Sequence, residues 1–278
     1  YSNILMLNKI KKNLIKFYRF INREYVLLDE NSIKKPLGSK KKYLEIFNKA
    51  SNLSFKEIDT LQNNLGFTLN KEWLDNLALH TQVCIKKSQI NYQHGKILYA
   101  YLRHYLQNHS YDYVNIFETG TGRGFSSTCM SKALNDSQTK GKIHTVDLLP
   151  NDKKMYWNTI DDHEKKKTRF ELLANWPLEH KNINFLTGQT KNIILNLKLE
   201  RINFAFLDAE HSYQSVILEY DFVKKRQKKG DIIFFDDVTE NAFPGICKAI
   251  KNIDKEKLYS IKYLNFTDQR QYAIATKL

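Results

Sequence analysis

"YVNIFETGTGRGFSST", residues 113–128, places three of the chain's ten glycines within five positions. A short apolar run ending in an acid, Glu118, precedes them, and Phe125, Ser126 and Ser127 follow. The run has the length and apolar density of a buried strand, and a helix is expected to begin near Phe125 or Ser126. Gly120, Gly122 and Gly124 between them permit positive φ and close approach of backbone to a ligand. In an open α/β sheet that turn lies at the carboxyl edge, where ligands bind. The new helix would offer unpaired N–H groups and a positive dipole end to an anionic group, and Ser126 and Ser127 could add hydroxyl donors.

Downstream the same rhythm repeats. The runs "KIHTVD" (142–147), "INFLTG" (183–188), "INFAFLD" (202–208) and "DIIFFDD" (231–237) alternate with helical stretches. Continuous apolar runs of this length suit parallel strands covered on both faces by crossover helices. "YSIKYLNF" and "RQYAIATKL" are separated only by "TDQ", too short for a crossover, so they should form an antiparallel hairpin. The expected fold is α/β: a doubly wound, mostly parallel Rossmann-like sheet ending in an antiparallel hairpin, with an N-terminal helical extension. Residues 1–95 would be the extension and 96–278 the sheet domain.

Two ligand classes compete for the glycine turn. The dinucleotide fingerprint G-x-G-x-x-G needs a third glycine at position 125, which Phe125 occupies. The pattern is instead E-x-G-x-G-x-G, and here the chain resembles the class I methyltransferases that use S-adenosylmethionine. The resemblance runs through residues 113–278. It implies that Glu118, Gly120, Gly122, Gly124 and Ser126 line the cofactor, with Glu118, Gly120 and Ser126 at its methionine end. Asp147, closing the second strand, would accept the ribose hydroxyls in charge-assisted hydrogen bonds. Gly188, Gln189 and Thr190, after the third strand, match the family's adenine-side loop.

"FAFLDAEHSY" ends the fourth strand at Asp208, and "IIFFDDV" ends the fifth at Asp236 and Asp237. Neighbouring strands lie about 4.8 Å apart, so three carboxylates would converge beside the glycine turn. Like charges that close hold a proton among them unless a cation intervenes. A hard divalent ion such as Mg²⁺ fits oxygen ligands; helix caps are the alternative for each Asp alone. This set of acids is similar to that of the metal-dependent O-methyltransferases, of the catechol type and of the type acting on macrolide and aminocoumarin sugars. That likeness implies Asp208, Asp236 and Asp237 as metal ligands. Catechol-type enzymes place a lysine base three residues after the first ligand, where this chain has His211. Glu210 stands where the sugar-modifying type has its proposed base. The general base is thus open between His211 and Glu210.

The rest of the chain bounds these readings. At 278 residues with 42% hydrophobic residues it can bury a full core. Its apolar runs are too short to span a bilayer, and lysines interrupt the N-terminal apolar segment, so no secretory pattern is expected. Cys84, Cys129 and Cys247 lie far apart without metal-ligand spacing, as reduced thiols of a cytoplasmic protein would. The net charge of +14 is concentrated in residues 1–110, which carry 18 Lys/Arg against 8 Asp/Glu; the remainder carries 26 against 22. Leu7, Ile10, Leu14, Phe17 and Tyr18 recur at helical spacing among lysines, and further helices are expected at 41–50, 54–64, 70–86 and 94–107. Residues 151–184, carrying Trp157, Trp176 and His163, are long for a crossover and suggest a lid over the methyl acceptor or an extended crossover. A small-molecule or sugar acceptor, best a vicinal diol, follows from the metal reading, with a homo-oligomer left open. An RNA methyltransferase using the basic N-terminal part and a non-catalytic scaffold are the alternatives.

Overall fold

The computed structural model describes residues 33–267 and 270–278; the amphipathic pattern expected over residues 7–18 lies outside them. The N-terminal part forms helices α1 (Lys40–Ser51), α2 (Lys56–Leu65), α3 (Lys71–Thr81) and α4 (His94–Gln107). β1 (Val114–Thr119), α5 (Phe125–Asp136), β2 (Gly141–Asp147), the short helices α6 (Arg169–Leu172) and α7 (Pro177–His180), and β3 (Ile183–Thr187) follow. Then come α8 (Thr190–Asn196), β4 (Phe204–Leu207), α9 (Tyr213–Lys224), β5 (Ile232–Phe235), α10 (Pro244–Lys255), β6 (Tyr259–Thr267) and β7 (Arg270–Lys277).

The seven strands form one sheet in the order β3-β2-β1-β4-β5-β7-β6. β1 to β5 pair in parallel, while β7 runs antiparallel to both β5 and β6. The expected doubly wound sheet with its terminal hairpin is what the structure has. The strand order reverses between β1 and β4, so the ends of these two strands flank the crevice where such sheets hold ligands.

Strand alternation divides the apolar residues between two cores. Ile116, Phe204, Phe206 and Phe234 face a cluster shared with α4 and α5. Phe117, Ala205, Leu207, Ile233 and Phe235 face the other, shared with α9 and α10. Ala50, Ile58, Leu74 and Leu77 of α1 to α3 join the first cluster, so the described part of the N-terminal segment is packed into the sheet domain's own core.

α3 ends at Thr81, five residues before the expected end. The cause is tertiary. The N–H groups of Gln82 and Val83 both close on the Ala78 carbonyl, and the backbone N–H and carbonyl of Ile85 are taken by the side chain of Asn158. A chain committed to Asn158 cannot continue the α-helical ladder.

Candidate active site

Glu118, near the end of β1, points into the interior. Its two carboxylate oxygens accept the hydroxyls of Ser126 and Ser127 in the first turn of α5. Burial raises its pKa and the serine hydroxyls oppose the shift. The acid therefore clamps the strand to the helix that follows it, which fixes the turn between them.

Gly120 has φ +85°, and a Cβ there would fall 2.0 Å from the carbonyl oxygen of Asp208. Only glycine lets the turn press so closely on the end of β4. Gly122, at φ +53°, is different: a Cβ would meet no atom within 4 Å. Its surface faces open space, as backbone that receives a ligand must. Both sides of the Gly122 peptide framework are held, since its N–H donates to Asp147 Oδ2 at 2.6 Å and its carbonyl accepts from Arg169 Nε at 3.0 Å. Asp147 Oδ1 accepts from Leu149 N at 2.8 Å, and the Asp147 carbonyl accepts from Gly188 N at 2.8 Å. Gly124 is the N-cap of α5. Gln189 caps α8 and Thr190 opens it. The glycine turn, Asp147 and the loop after β3 thus meet at one edge of the sheet.

The acids of β4 and β5 stand at that same edge. Asp208 N donates to the Thr119 carbonyl at 3.1 Å, and Asp236 N to the Leu207 carbonyl at 3.2 Å. One ligand atom each from Asp208, His211 and Asp237 lie within 4.8 Å of one another. His211 Nε2 is 3.5 Å from Asp208 Oδ1 and 3.4 Å from Asp237 Oδ2. Its ring lies against Phe243, with centroids 4.6 Å apart. Burial holds its pKa below the usual histidine value, against the upward pull of Asp236 and Glu210. Asp236 is fully buried, and its Oδ1 accepts from Asp237 N at 2.7 Å. Asp237 has φ +53°, a conformation that non-glycine residues adopt at a cost of about 1–2 kcal/mol. Glu210 is exposed and accepts from Ser215 Oγ at 3.0 Å.

Sequence reasoning missed several groups that hold this edge together. Arg169 is fully buried; besides Gly122 it donates to the Asn151 side chain and, at 3.4 Å, to the Leu149 carbonyl. Its guanidinium stands 5.5 Å from the centroid of Trp157 and 5.6 Å from that of Phe185. Burial lowers its pKa, while Asp147 and Glu118 pull it up. Arg123 Nε donates to the Trp157 carbonyl at 2.6 Å. The long segment after β2 is therefore fastened to the glycine turn by two arginines. It is fastened to the N-terminal helices too, through Tyr43–Asn158 at 3.1 Å, His163–Gly38 at 2.7 Å and His80–Asp161 at 2.6 Å. Its own small core of Leu149, Met155, Trp157 and Leu172 closes it. No periodic pattern marks Arg169; its role depends on contacts 47 residues away.

Among the described residues no helix is long and apolar enough to cross a membrane. No protein with a curated description matches the chain in sequence. Residues 117–238 match a family model described as a methyltransferase domain. Among solved structures, the O-methyltransferase TomG from Streptomyces achromogenes, involved in tomaymycin synthesis and determined in complex with SAM, is similar. The two share 16% identity with a TM-score of 0.53, covering 76% of this chain and 91% of that one. A putative O-methyltransferase from Klebsiella pneumoniae shares 15% identity with a TM-score of 0.50, covering 86% of this chain and 98% of that one. At these identities the likeness is one of fold. The chain thus has the fold of the class I S-adenosylmethionine-dependent methyltransferases, and within it residues 117–238 are similar to a methyltransferase domain.

Proposed function

We propose that the chain transfers the methyl group of S-adenosylmethionine to a hydroxyl of a small molecule or sugar, assisted by a divalent cation, in the cytoplasm. The observation that carries this reading is the meeting of the Gly120–Gly124 turn with Asp208 at one sheet edge, with only glycine tolerated at the contact.

The residues present suit both groups. The open face of Gly122 gives a nucleoside room to approach, and each Asp147 oxygen retains a lone pair for a ribose hydroxyl after its backbone bond. Asp208 and Asp237 come close together, with the buried Asp236 between strand end and Asp237, so that carboxylate oxygens are at hand for a cation. S-adenosylmethionine supplies an already activated methyl group, and a divalent cation supplies Lewis acidity to the acceptor oxygen. The protein's own task is alignment, which contributes several kcal/mol to lowering such a barrier. Glu118 holds the first turn of α5, and Arg169 and Asp147 hold Gly122 from either side. A hydroxyl that gains a methyl group releases one proton, and Glu210 and His211 stand beside the acids to receive it.

Labelled methyl transfer tests this reading across catechols, sugar diols and RNA, with and without EDTA. Methylated diol that disappears with EDTA is expected. Product on RNA alone would move the assignment to a nucleic acid acceptor. No product on any acceptor, from protein that binds the cofactor, would favour a non-catalytic scaffold.

A further inference from the structure

We propose that His211 is a metal ligand rather than the general base, so that the site is a mixed nitrogen–oxygen centre built from Asp208, His211 and Asp237 and selects a transition-metal ion over Mg²⁺. The inference rests on the divalent-cation part of the reading above and changes which residues hold the ion and which ion they hold.

Three observations carry it. The first is the identity of the converging donors. Asp208, His211 and Asp237 bring ligand atoms within 4.8 Å of one another. Asp236, the third acid that strand position nominates, is fully buried, and one of its oxygens accepts the Asp237 N–H. Asp236 orients Asp237, whose left-handed backbone aims its own carboxylate at the imidazole.

The second is the state of His211 Nε2. The side chain is 10% exposed, and this nitrogen is buried without a hydrogen-bond partner. Leaving a buried polar atom unsatisfied costs about 1–3 kcal/mol. The atom is nevertheless aimed between two carboxylates.

The third is the spacing. Nε2 lies 3.5 Å from Asp208 Oδ1 and 3.4 Å from Asp237 Oδ2, longer than the 2.7–3.2 Å typical of N–H···O hydrogen bonds. Ligands held about 2.1 Å from a common ion stand roughly 3.0 Å apart at octahedral corners and roughly 3.4 Å apart at tetrahedral ones. The separations are those of atoms sharing an ion.

A consequence follows for the chemistry. Imidazole favours zinc, iron, cobalt and nickel, whereas Mg²⁺ keeps to oxygen donors. With Nε2 engaged as a ligand, the proton of the acceptor hydroxyl falls to Glu210, the exposed neighbour of His211 in the chain.

The test uses the full chain stripped with chelator and titrated calorimetrically with MnCl₂, CoCl₂ and MgCl₂. Wild-type protein loaded with Mn²⁺ should show ¹⁴N modulation in its pulsed EPR echo; His211→Ala should lose it. The same substitution should weaken Co²⁺ binding by about tenfold or more and alter the cobalt visible spectrum, while Mg²⁺ affinity stays unchanged. Asp208→Asn should weaken all three metals. A wild-type Mn²⁺ echo without ¹⁴N coupling would overturn the assignment even if every variant misfolded. So would a His211→Ala protein with unaltered Co²⁺ affinity and spectrum, or wild-type protein that binds no ion. The melting shift caused by S-adenosylmethionine in metal-free protein, measured in parallel, reports the methyltransferase reading separately, so the two can fail independently.

Discussion

Replacing Glu219 by glutamine should remove one pH-dependent contribution to stability. Glu219 lies on α9, is 2% exposed, and accepts a hydrogen bond from Thr119 Oγ1 at 3.0 Å. Burial pushes its carboxyl from 4.5 up to about 8; the Thr119 hydroxyl opposes the shift and Glu210 adds to it. The folded protein therefore holds a proton there that the unfolded chain releases above about pH 4.5. The contribution of Glu219 to stability is full below that value and falls as pH rises through the window to about 8, at about 1.4 kcal/mol per pH unit. Glutamine keeps an acceptor for Thr119 and carries no proton to lose. Urea denaturation at each unit from pH 5 to pH 9 should show Glu219→Gln gaining on the wild type by roughly 3–4 kcal/mol between pH 5 and 8, then levelling off. A difference that stays constant from pH 5 to pH 9 would refute the reasoning, because it would mean the carboxylate ionises in the folded protein as freely as in water. Position gives the proton functional weight: Thr119 precedes the glycine turn, and its carbonyl binds Asp208 N. A neutral Glu219 spares the acidic edge a further negative charge.

Other perturbations separate folding from binding. Gly120→Ala should fail to fold or lose several kcal/mol of stability in denaturation, since its Cβ would collide with the Asp208 carbonyl at 2.0 Å. Gly122→Ala, with nothing within 4 Å of the new Cβ, should cost only about 1–2 kcal/mol for its positive φ yet weaken cofactor binding in calorimetry. Arg169→Met should raise the cofactor Kd by about tenfold by releasing the Gly122 carbonyl; Arg169→Lys should not rescue it, because the three acceptors are reached from three separate guanidinium nitrogens and a single ammonium nitrogen lacks that planar span. Trp157→Ala empties the small core of the long segment and should cost about 3–5 kcal/mol, read from the shift in urea midpoint.

Much of the architecture was legible in the sequence because it depends on local rules. Buried parallel strands need continuous apolar runs, and all five ran where expected; the three residues of "TDQ" could only be a hairpin connection. The boundaries of α4 were legible for the same reason: an uninterrupted apolar stripe defined it. What escaped depends on side chains meeting across the fold. α3 stops where Asn158 captures Ile85, 73 residues away. The segment after β2 carries no signal that its arginine would reach back to Gly122.

The acidic edge shows the limit most sharply. Strand position located Asp208, Asp236 and Asp237 together but not their directions. Phe235 packs into the cluster beside α9 and α10, and Asp236, just past the end of β5, is fully buried. The left-handed residue at 237 then redirects its own side chain toward His211. Sequence spacing cannot report a positive φ at an aspartate, and it is that backbone turn that brings an imidazole into the donor set.

Calorimetric titration of S-adenosylmethionine into the intact chain and its Asp147→Ala variant tests the joint pocket most directly. The account predicts saturable one-to-one binding to the wild type, about tenfold or greater weakening in the variant, and no heat from NAD. Wild-type protein that takes up NAD instead, or a variant that binds S-adenosylmethionine as tightly as the wild type, would contradict it.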